Sequence, residues 1–414
     1  EAGFSPSREQ LVVLGDLVAN DNITLGVNVT VSGRESATAV LGLGGGSSLP
    51  TFELGTVQAN GNGAPGLLVT AISMEGDATV SIGSGEASGN VGGGAIITAI
   101  GADDVAVGLG ALILGGTPLP LYGTFSAITN GGLGAYVYAQ STNGSVTALQ
   151  FGGQMNGNLG GGLDFDLSAY DSALLLLGGG ILGLISPPLE ASGNTGTGLQ
   201  ADLFSQTDSA TLVAGGWELN NNTLYGMNAT LSAVDDARAI LGYGVVDGQP
   251  VLQLVRAVSN NMAGINIAAV SASNEVDIAL LKFEASGNLL DGVSISGFAE
   301  DQVGIGVGDI AETLLPLPLL GSGIANGNQI GEGVRIMADS YSNNVVLALG
   351  NLELRGNAMN GASVIADAPN GSITSRVLNV SAISNGLTGV SQTLAALNSA
   401  NLSGENNEMR GNQI

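Results

Sequence analysis

The sequence predicts an all-β chain folded as a parallel β-solenoid of about 12 coils, each built on a unit of about 28 residues. Three observations support this fold class. One unit recurs along nearly the whole chain: an apolar stretch, Asn, three residues, Gly, then an apolar-x-apolar pattern. The stretch after each Gly alternates with a period of two, and no segment has a helical period. One coil cannot bury its apolar face alone, so the coils must stack around a shared core.

The repeated asparagine marks one turn of every coil. Asn tolerates the left-handed backbone conformation that a tight turn needs, and the Gly four residues later permits close backbone approach. Asn328 departs from the rule, because Gly333 follows it by five residues. We expect the asparagines to be structural and to form a column along the rod. The expected column consists of Asn62, Asn90, Asn130, Asn158, Asn194, Asn222, Asn260, Asn288, Asn357 and Asn385.

Three short strands fill each coil between successive asparagines. The first follows the Gly, as in Val27/Val29 and Ile265/Ile267, and buries alternate residues. A polar turn leads to a second alternating stretch such as "VVLALG", and a third such as "FEASGN" leads to the next Asn. Coils stacked at the usual strand spacing of about 4.8 Å give a rod of roughly 55–60 Å. Residues 17–414 are predicted to form this single elongated domain.

These units resemble those of right-handed parallel β-helix proteins, the family that includes pectate lyases, phage tailspikes and autotransporter passengers. The resemblance covers residues 17–414 and implies right-handed coils. It also implies that turn asparagines stack into a ladder whose amides bond the coils above and below, here at Asn62, Asn90, Asn194 and Asn288. Because the family contains both enzymes and adhesins, the resemblance leaves the function open.

Alternate coils carry an apolar insertion of 8–12 residues after the second strand, rich in Leu and Pro, such as "LILGGTPLPLYG". Apolar loops on the surface of a rod need other apolar surface to shield them from water. Either the insertions pack on each other every second coil, about 9–10 Å apart, or they meet a partner. We expect a single ridge that mediates lateral or end-to-end assembly. The expected ridge consists of Leu49, Pro50, Leu112, Ile113, Leu119, Ile181, Leu184, Ile185, Val245, Val246, Leu314, Leu315, Leu317 and Leu319.

The two ends of the sequence lead to further expectations. Residues 1–16 lie outside the repeat and are a candidate cap. The chain starts at Glu1 rather than Met, and no capping element precedes Ile414. We therefore expect a piece of a longer product that continues beyond residue 414. The uncharged run at residues 172–189 holds four glycines and two prolines, which favours a solenoid coil over a membrane span.

Composition excludes several classes of function. The chain has no Cys and no His, which excludes disulfides, thiol nucleophiles, His-ligated zinc and a Ser-His-Asp triad. It has 35 acidic and 9 basic residues, for a net charge of −26, and Lys282 is its one lysine. Such a charge argues against binding to nucleic acid or anionic lipid.

Two groups of carboxylates are candidate sites. The polar turns after the first strand can hold calcium together with backbone carbonyls, but we favour their role as turn formers and solubilising charge. Asp164 and Asp166 should both face outward while Leu163 and Phe165 face inward. Such a pair can serve glycoside hydrolysis or, as the resemblance to pectate lyases implies, bind calcium. The turns contain Glu35, Asp77, Asp103, Asp104, Asn143, Asp171, Asp208, Asp235, Asp236, Glu300, Asp301 and Asn370.

The sequence is best interpreted as a secreted or cell-surface structural and adhesive rod: an adhesin, a passenger segment or a self-assembling fibre subunit. We expect it to be non-catalytic and without a cofactor, with partners among other copies, surface proteins and surface glycans. The eight arginines are scattered and Trp217 is the one Trp, unlike a basic or aromatic polysaccharide cleft. The alternative is a carbohydrate-active β-helix enzyme, a polysaccharide lyase or glycoside hydrolase. A third class is a calcium-dependent matrix or surface-layer protein.

Overall fold

The computed structural model describes residues 8–45, 52–114, 117–178, 189–246, 249–308 and 321–413. These residues form a right-handed parallel β-helix of twelve coils, which confirms the predicted fold class. They contain strands and turns but no helix. Consistently, no helix long and apolar enough to cross a membrane occurs in the described ranges.

Sheet one follows the asparagine turn in each coil and contains twelve parallel strands. Neighbouring strands pair in register, so equivalent positions of the repeat form straight columns along the rod. Alternate residues point into the core, as the period of two requires. The strands are Val27–Gly33, Leu67–Ser73, Ala95–Gly101, Leu133–Ser141, Gly161–Ala169, Leu199–Ser205, Met227–Ala233, Ile265–Ser271, Val293–Ala299, Val334–Ser340, Ala362–Ala368 and Val390–Ala396.

Sheet two follows the polar turn and has thirteen strands. Its first strand, Glu9–Leu14, pairs in register with Ser36–Leu41. The β-helix therefore begins inside the segment 1–16 that the sequence placed outside the repeat, because this strand lacks the Asn-Gly turn that identifies the other coils. The remaining strands are Asp77–Ile82, Val105–Leu109, Val146–Gln150, Ala173–Leu177, Ala210–Ala214, Ala237–Leu241, Glu275–Leu280, Gln302–Val307, Val345–Gly350, Ser372–Leu378 and Ser399–Glu405.

Sheet three closes each coil with strands of two to four residues and has a four-stranded and a nine-stranded part. Where the four-stranded part ends and the nine-stranded part begins, the backbone N–H of Phe125 still donates to Gly152 O at 3.0 Å, so the coils on the two sides remain stacked. The first part contains Leu17–Val18, Thr56–Gln58, Ser84–Glu86 and Phe125–Ser126. The second contains Gly153–Gln154, Leu189–Glu190, Trp217–Glu218, Val255–Arg256, Lys282–Glu284, Ser322–Ile324, Leu352–Arg355, Ser381–Ile383 and Glu408–Arg410.

The core is a set of stacked apolar rows rather than a cluster of aromatic rings. Register pairing places one inward residue of each sheet-one strand in the same row, which explains how a chain with 4% aromatic residues still forms a core. One such row runs from Val29 to Val364 and ends at Gln392, whose side-chain oxygen and nitrogen are buried without hydrogen-bond partners. Its apolar members are Val29, Val69, Ile97, Val137, Phe165, Ala201, Ala229, Ile267, Ile295, Ile336 and Val364.

Three of the apolar insertions contain antiparallel hairpins, and the insertions at residues 179–188 and 309–320 lie outside the described residues. A two-stranded hairpin is as wide as two stacked coils, about 9–10 Å. For the three described hairpins, this width matches the spacing of one insertion at every second coil. The hairpin strands are Leu43–Gly45 with Phe52–Leu54, Ala111–Leu114 with Thr117–Tyr122, and Tyr243–Val246 with Gln249–Leu252.

Each of the five insertions starts at a glycine with positive φ, a conformation that glycine adopts without steric cost. These glycines are Gly42, Gly110, Gly178, Gly242 and Gly308.

Candidate functional site

An unbroken column of asparagines, here called the asparagine ladder, follows the corner between sheets three and one. In each coil, the backbone N–H and the side-chain Nδ2 of Asn both donate to Oδ1 of the next Asn, at 2.8–3.4 Å. All ten asparagines that the sequence placed in the column belong to the ladder, and each is buried.

Three further asparagines extend the ladder beyond that set: Asn22, Asn328 and Asn412. Asn328 is a full member, since its Oδ1 accepts from Asn288 N at 3.1 Å and its own N–H donates to Asn357 Oδ1 at 3.1 Å. The extra residue of this coil is absorbed before Gly333, whose N–H donates to Asn360 O as in the regular stack. The chain therefore has twelve consecutive ladder links.

The left-handed residue of this turn is not the ladder asparagine, so that expectation from the sequence is wrong. In every coil, the residue directly before the ladder asparagine has a positive φ. Most of these residues are glycines, for which the conformation carries no strain. They are Asp21, Gly61, Gly89, Thr129, Gly157, Gly193, Asn221, Ser259, Gly287, Gly327, Gly356, Ser384 and Gly411.

The glycine four residues after each Asn makes room for the ladder. A Cβ built on Gly264 would lie 2.7 Å from Asn288 Nδ2 and 2.7 Å from Ala257 O, too close for real atoms. Gly226 has the same relation to Asn260 Nδ2, at 2.8 Å. The Asn-x3-Gly spacing is therefore a packing requirement: the glycine of one coil faces the amide of the next.

The polar turns use their side-chain oxygens as backbone acceptors. Asp77 Oδ1 accepts from Asp104 N at 3.1 Å, and Asp104 Oδ1 accepts from Ser145 N at 2.9 Å. Asn344 accepts from Ser372 N in the same way, at 3.0 Å. In the part of the chain that the structure describes, no three His, Cys, Asp or Glu side chains are grouped so that they could hold a metal ion. These turns form a second polar column at another corner of the rod.

Asp164 and Asp166 lie on the outward face of sheet one, where the register adds four more side chains. Asp164 is opposite Tyr136 and Gln200, and Asp166 is opposite Tyr138 and Asp202. These six residues, on adjacent strands about 4.8 Å apart, are called the Asp-Tyr patch. Sequence reasoning missed four of them although a signal existed. Each lies six or eight residues after its ladder asparagine, as Asp164 and Asp166 do after Asn158.

Hydrogen bonds fix one side of the Asp-Tyr patch. Gln200 Nε2 donates to Asp202 Oδ2 at 2.9 Å, and Asn228 Nδ2 donates to Gln200 Oε1 at 2.9 Å. Among the described residues, no ion pair includes any of the three aspartates. The patch therefore concentrates negative charge beside two tyrosines without a neighbouring cation.

Burial and repulsion keep a proton on this patch at mildly acidic pH. The pKa of Asp164 is raised to about 6, first by desolvation and then by the charges of Asp202 and Asp166. The pKa of Asp166 is raised by desolvation and then by Asp202. For Tyr136, desolvation is again the first cause of a raised pKa, followed by Asp166 and Asp164. Asp164 is the group best placed to donate a proton near neutral pH.

The raised pKa of Asp164 predicts a pH-dependent effect of Asp164→Asn. A carboxyl that binds its proton more tightly in the folded state makes the fold less stable as pH rises from about 4 to about 6. We expect the variant to be more stable than the parent at pH 8, by about 1 kcal/mol because solvent screens the patch, and equal to it at pH 3.5. Thermal unfolding at both pH values is the measurement. An equal difference at both would show that Asp164 ionises in the fold as it does in the unfolded chain.

The structure places the predicted ridge residues in three ways. Leu112 and Ile113 are buried at the base of their hairpin, and Ile113 N donates to Ser81 Oγ on the outer face of sheet two, at 3.1 Å. Val245 is half-buried in its hairpin strand, and Leu119 and Val246 also lie on hairpin strands. Outside the described residues lie Leu49, Pro50, Ile181, Leu184, Ile185, Leu314, Leu315, Leu317 and Leu319.

The hairpin bases cover part of sheet two. Ile113 packs with Leu149 and Phe151, and Tyr243 packs with Ala279 and Leu281 of the neighbouring coil. Strand Phe52–Leu54 also lies against strand Thr117–Tyr122 of the next hairpin along the rod. These contacts favour packing within the chain for the inner part of the insertions.

Comparisons of the chain with protein-family models, with curated proteins and with solved structures gave no match.

Proposed function

We propose that the chain is a secreted or cell-surface structural rod with an adhesive role and without catalytic activity, similar to β-helical passenger segments. The observation that carries this proposal is the unbroken asparagine ladder. Twelve links from Asn22 to Asn412 give every coil interface the same side-chain bonds. In a solenoid each coil contacts only its neighbours, so stability is a sum over interfaces. A chain that repeats one interface over its full length is built to keep a constant cross-section.

Charge and surface composition support this proposal. The net charge of −26 keeps an elongated molecule soluble and apart from polyanions. The hairpin row is the proposed surface for self-association or for another surface protein. It carries the three described hairpins, whose internal contacts in the described residues are those at the bases of two hairpins and those between the first hairpin and the second.

The Asp-Tyr patch favours a second candidate function, glycoside hydrolysis. Asp164 and Asp166 are two residues apart on one strand, a backbone spacing of about 6.6 Å. An inverting glycosidase needs two carboxyl groups about 6.5–9.5 Å apart, one protonated and one ionised. Asp164 is the candidate acid, and Asp166 or Asp202 is the candidate base. The tyrosines on the neighbouring strand would offer stacking faces for a sugar ring.

One experiment separates the two functions. Beads coated with the parent or with Asp164→Asn are incubated with cells and with a panel of purified polysaccharides, and both bead binding and the release of reducing ends are measured. For the rod, we expect parent and variant beads to bind equally and neither to release reducing ends. Release by the parent that falls 100-fold or more in the variant, the usual cost of losing a general acid, would establish the hydrolase instead.

A further inference from the structure

Four polar side chains form a short row beside the ladder corner on the last four coils. Asp291, Glu332, Asn360 and Thr388 each directly precede the glycine that follows the ladder asparagine. Glu332 N donates to Asp291 Oδ1 at 2.8 Å, and Asn360 Nδ2 donates to Glu332 Oε1 at 2.8 Å. Thr388 Oγ1 in turn donates to Asn360 Oδ1 at 2.6 Å. The row fixes the position of the Glu332 carboxylate through one of its two oxygens.

The other oxygen of that carboxylate is buried without a partner. Glu332 is 7% exposed, its Oε2 makes no hydrogen bond of ordinary distance and angle, and the Ser363 hydroxyl lies close enough to the carboxylate to lower its pKa. Arg335 is exposed and directs its Nη2 to Met337 Sδ at 3.9 Å, and no ion pair of the described residues includes Glu332. An unpaired buried carboxylate oxygen is costly to a fold. The regular repeat does not explain this oxygen, because Glu332 lies in the one coil that has an extra residue between its ladder asparagine and its glycine.

We propose that Glu332 Oε2 and the carboxylate of Asp291 bind a divalent cation, with calcium as the best fit. Calcium takes six to eight oxygen ligands in flexible geometry and accepts carboxylates, hydroxyls and water together. Ser363, which lies beside Glu332, offers a hydroxyl, and water supplies the remaining positions. This site lies apart from the polar turns, and the proposal does not depend on the function proposed for the rod.

The electrostatics of the site agree with a cation. Desolvation is the main cause that raises the pKa of Glu332, and the charge of Asp291 adds to it, while Asn360, Arg335 and Ser363 act in the opposite direction. A bound cation would offset both the burial of the carboxylate and its repulsion from Asp291. Asn360 holds Oε1, so Oε2 is the oxygen left for the metal.

The test is calcium titration of the parent, Glu332→Gln and Glu218→Gln. Glu218, on sheet three, gives a control with the same change of charge at another face. Heat of binding and melting temperature are measured in chelator-treated buffer, with magnesium and sodium chloride at matched ionic strength to account for diffuse screening. We expect one calcium site in the parent and in Glu218→Gln, with Kd of about 10⁻⁴–10⁻³ M, and a rise of several degrees in melting temperature. Binding should weaken at least tenfold in Glu332→Gln.

Two results would overturn the proposal. One is a parent that responds to calcium no more than to the matched salts. In that case a proton alone occupies the site, and Glu332→Gln should melt above the parent at pH 8. The other is a Glu332→Gln variant that binds calcium as tightly as the parent does, which would place the cation elsewhere on the acidic surface.

Discussion

Asn194→Leu is expected to lower the free energy of unfolding by about 3 kcal/mol, from the loss of buried hydrogen bonds whose partners stay unsatisfied. Asn194 Oδ1 accepts from Asn158 N at 2.9 Å and from Asn158 Nδ2 at 3.2 Å. Its own Nδ2 donates to Asn222 Oδ1 at 3.0 Å. Leu removes all three bonds and leaves the buried Asn158 N–H without an acceptor. Urea unfolding followed by circular dichroism measures the effect.

Asn266→Leu is the matched control for the ladder variant. Asn266 lies on the outward face of sheet one, where its Nδ2 donates to Asn228 Oδ1 at 2.6 Å. This substitution removes one partly buried bond and suits a strand, so its cost should stay below about 1 kcal/mol. Equal losses in the two variants would mean that the ladder contributes no more than an ordinary surface amide.

Gly264→Ala is expected to destabilise the chain by about 2 kcal/mol, within the usual range for overpacking. The new Cβ would meet Asn288 Nδ2 at 2.7 Å, Ala257 O at 2.7 Å and Gly292 O at 2.8 Å. Two of these atoms are backbone oxygens, Ala257 O across the same asparagine turn and Gly292 O in the next coil, so the clash can be relieved only if the backbone moves. Thermal unfolding of the variant measures this cost.

Gly193→Ala separates this clash from backbone strain. Gly193 has a φ of +67°, but a Cβ there would have no atom within 4 Å. Its cost should therefore be conformational only, about 1 kcal/mol. If Gly193→Ala were the more damaging substitution, the turn conformation rather than the space for the ladder would explain the Asn-x3-Gly unit.

The repeat predicts the fold because period and register are properties of the sequence itself. Once Asn158 and Asn194 are aligned, equivalent positions must form columns, so the three sheets, the core rows and the ladder follow. The repeat does not show which residue of the turn adopts the left-handed conformation and which one forms the ladder. The left-handed residue is Gly193 rather than Asn194, although the frequent Gly-Asn pair was a visible signal.

Contacts between coils that involve no repeated motif could not be predicted from the sequence. The hydrogen bond from Ile113 to Ser81 joins a hairpin to the outer face of sheet two, and no local pattern marks the pair. The unpaired oxygen of Glu332 likewise depends on which neighbours surround the extra residue of its coil. The Asp-Tyr patch is intermediate: its members share repeat positions, but only the register between strands brings Tyr136 beside Asp164.

Hydrogen exchange of the ladder amides tests most directly whether one continuous ladder holds the rod together. Amides in turns that bond only to water exchange quickly, whereas those in cooperative structure exchange through large openings. We expect the backbone amides of ladder asparagines from Asn130 to Asn357 to be as protected as those of the sheet-one strands beside them. Exchange at these amides that is fast, or much faster than in the adjacent strands, would contradict a continuous ladder.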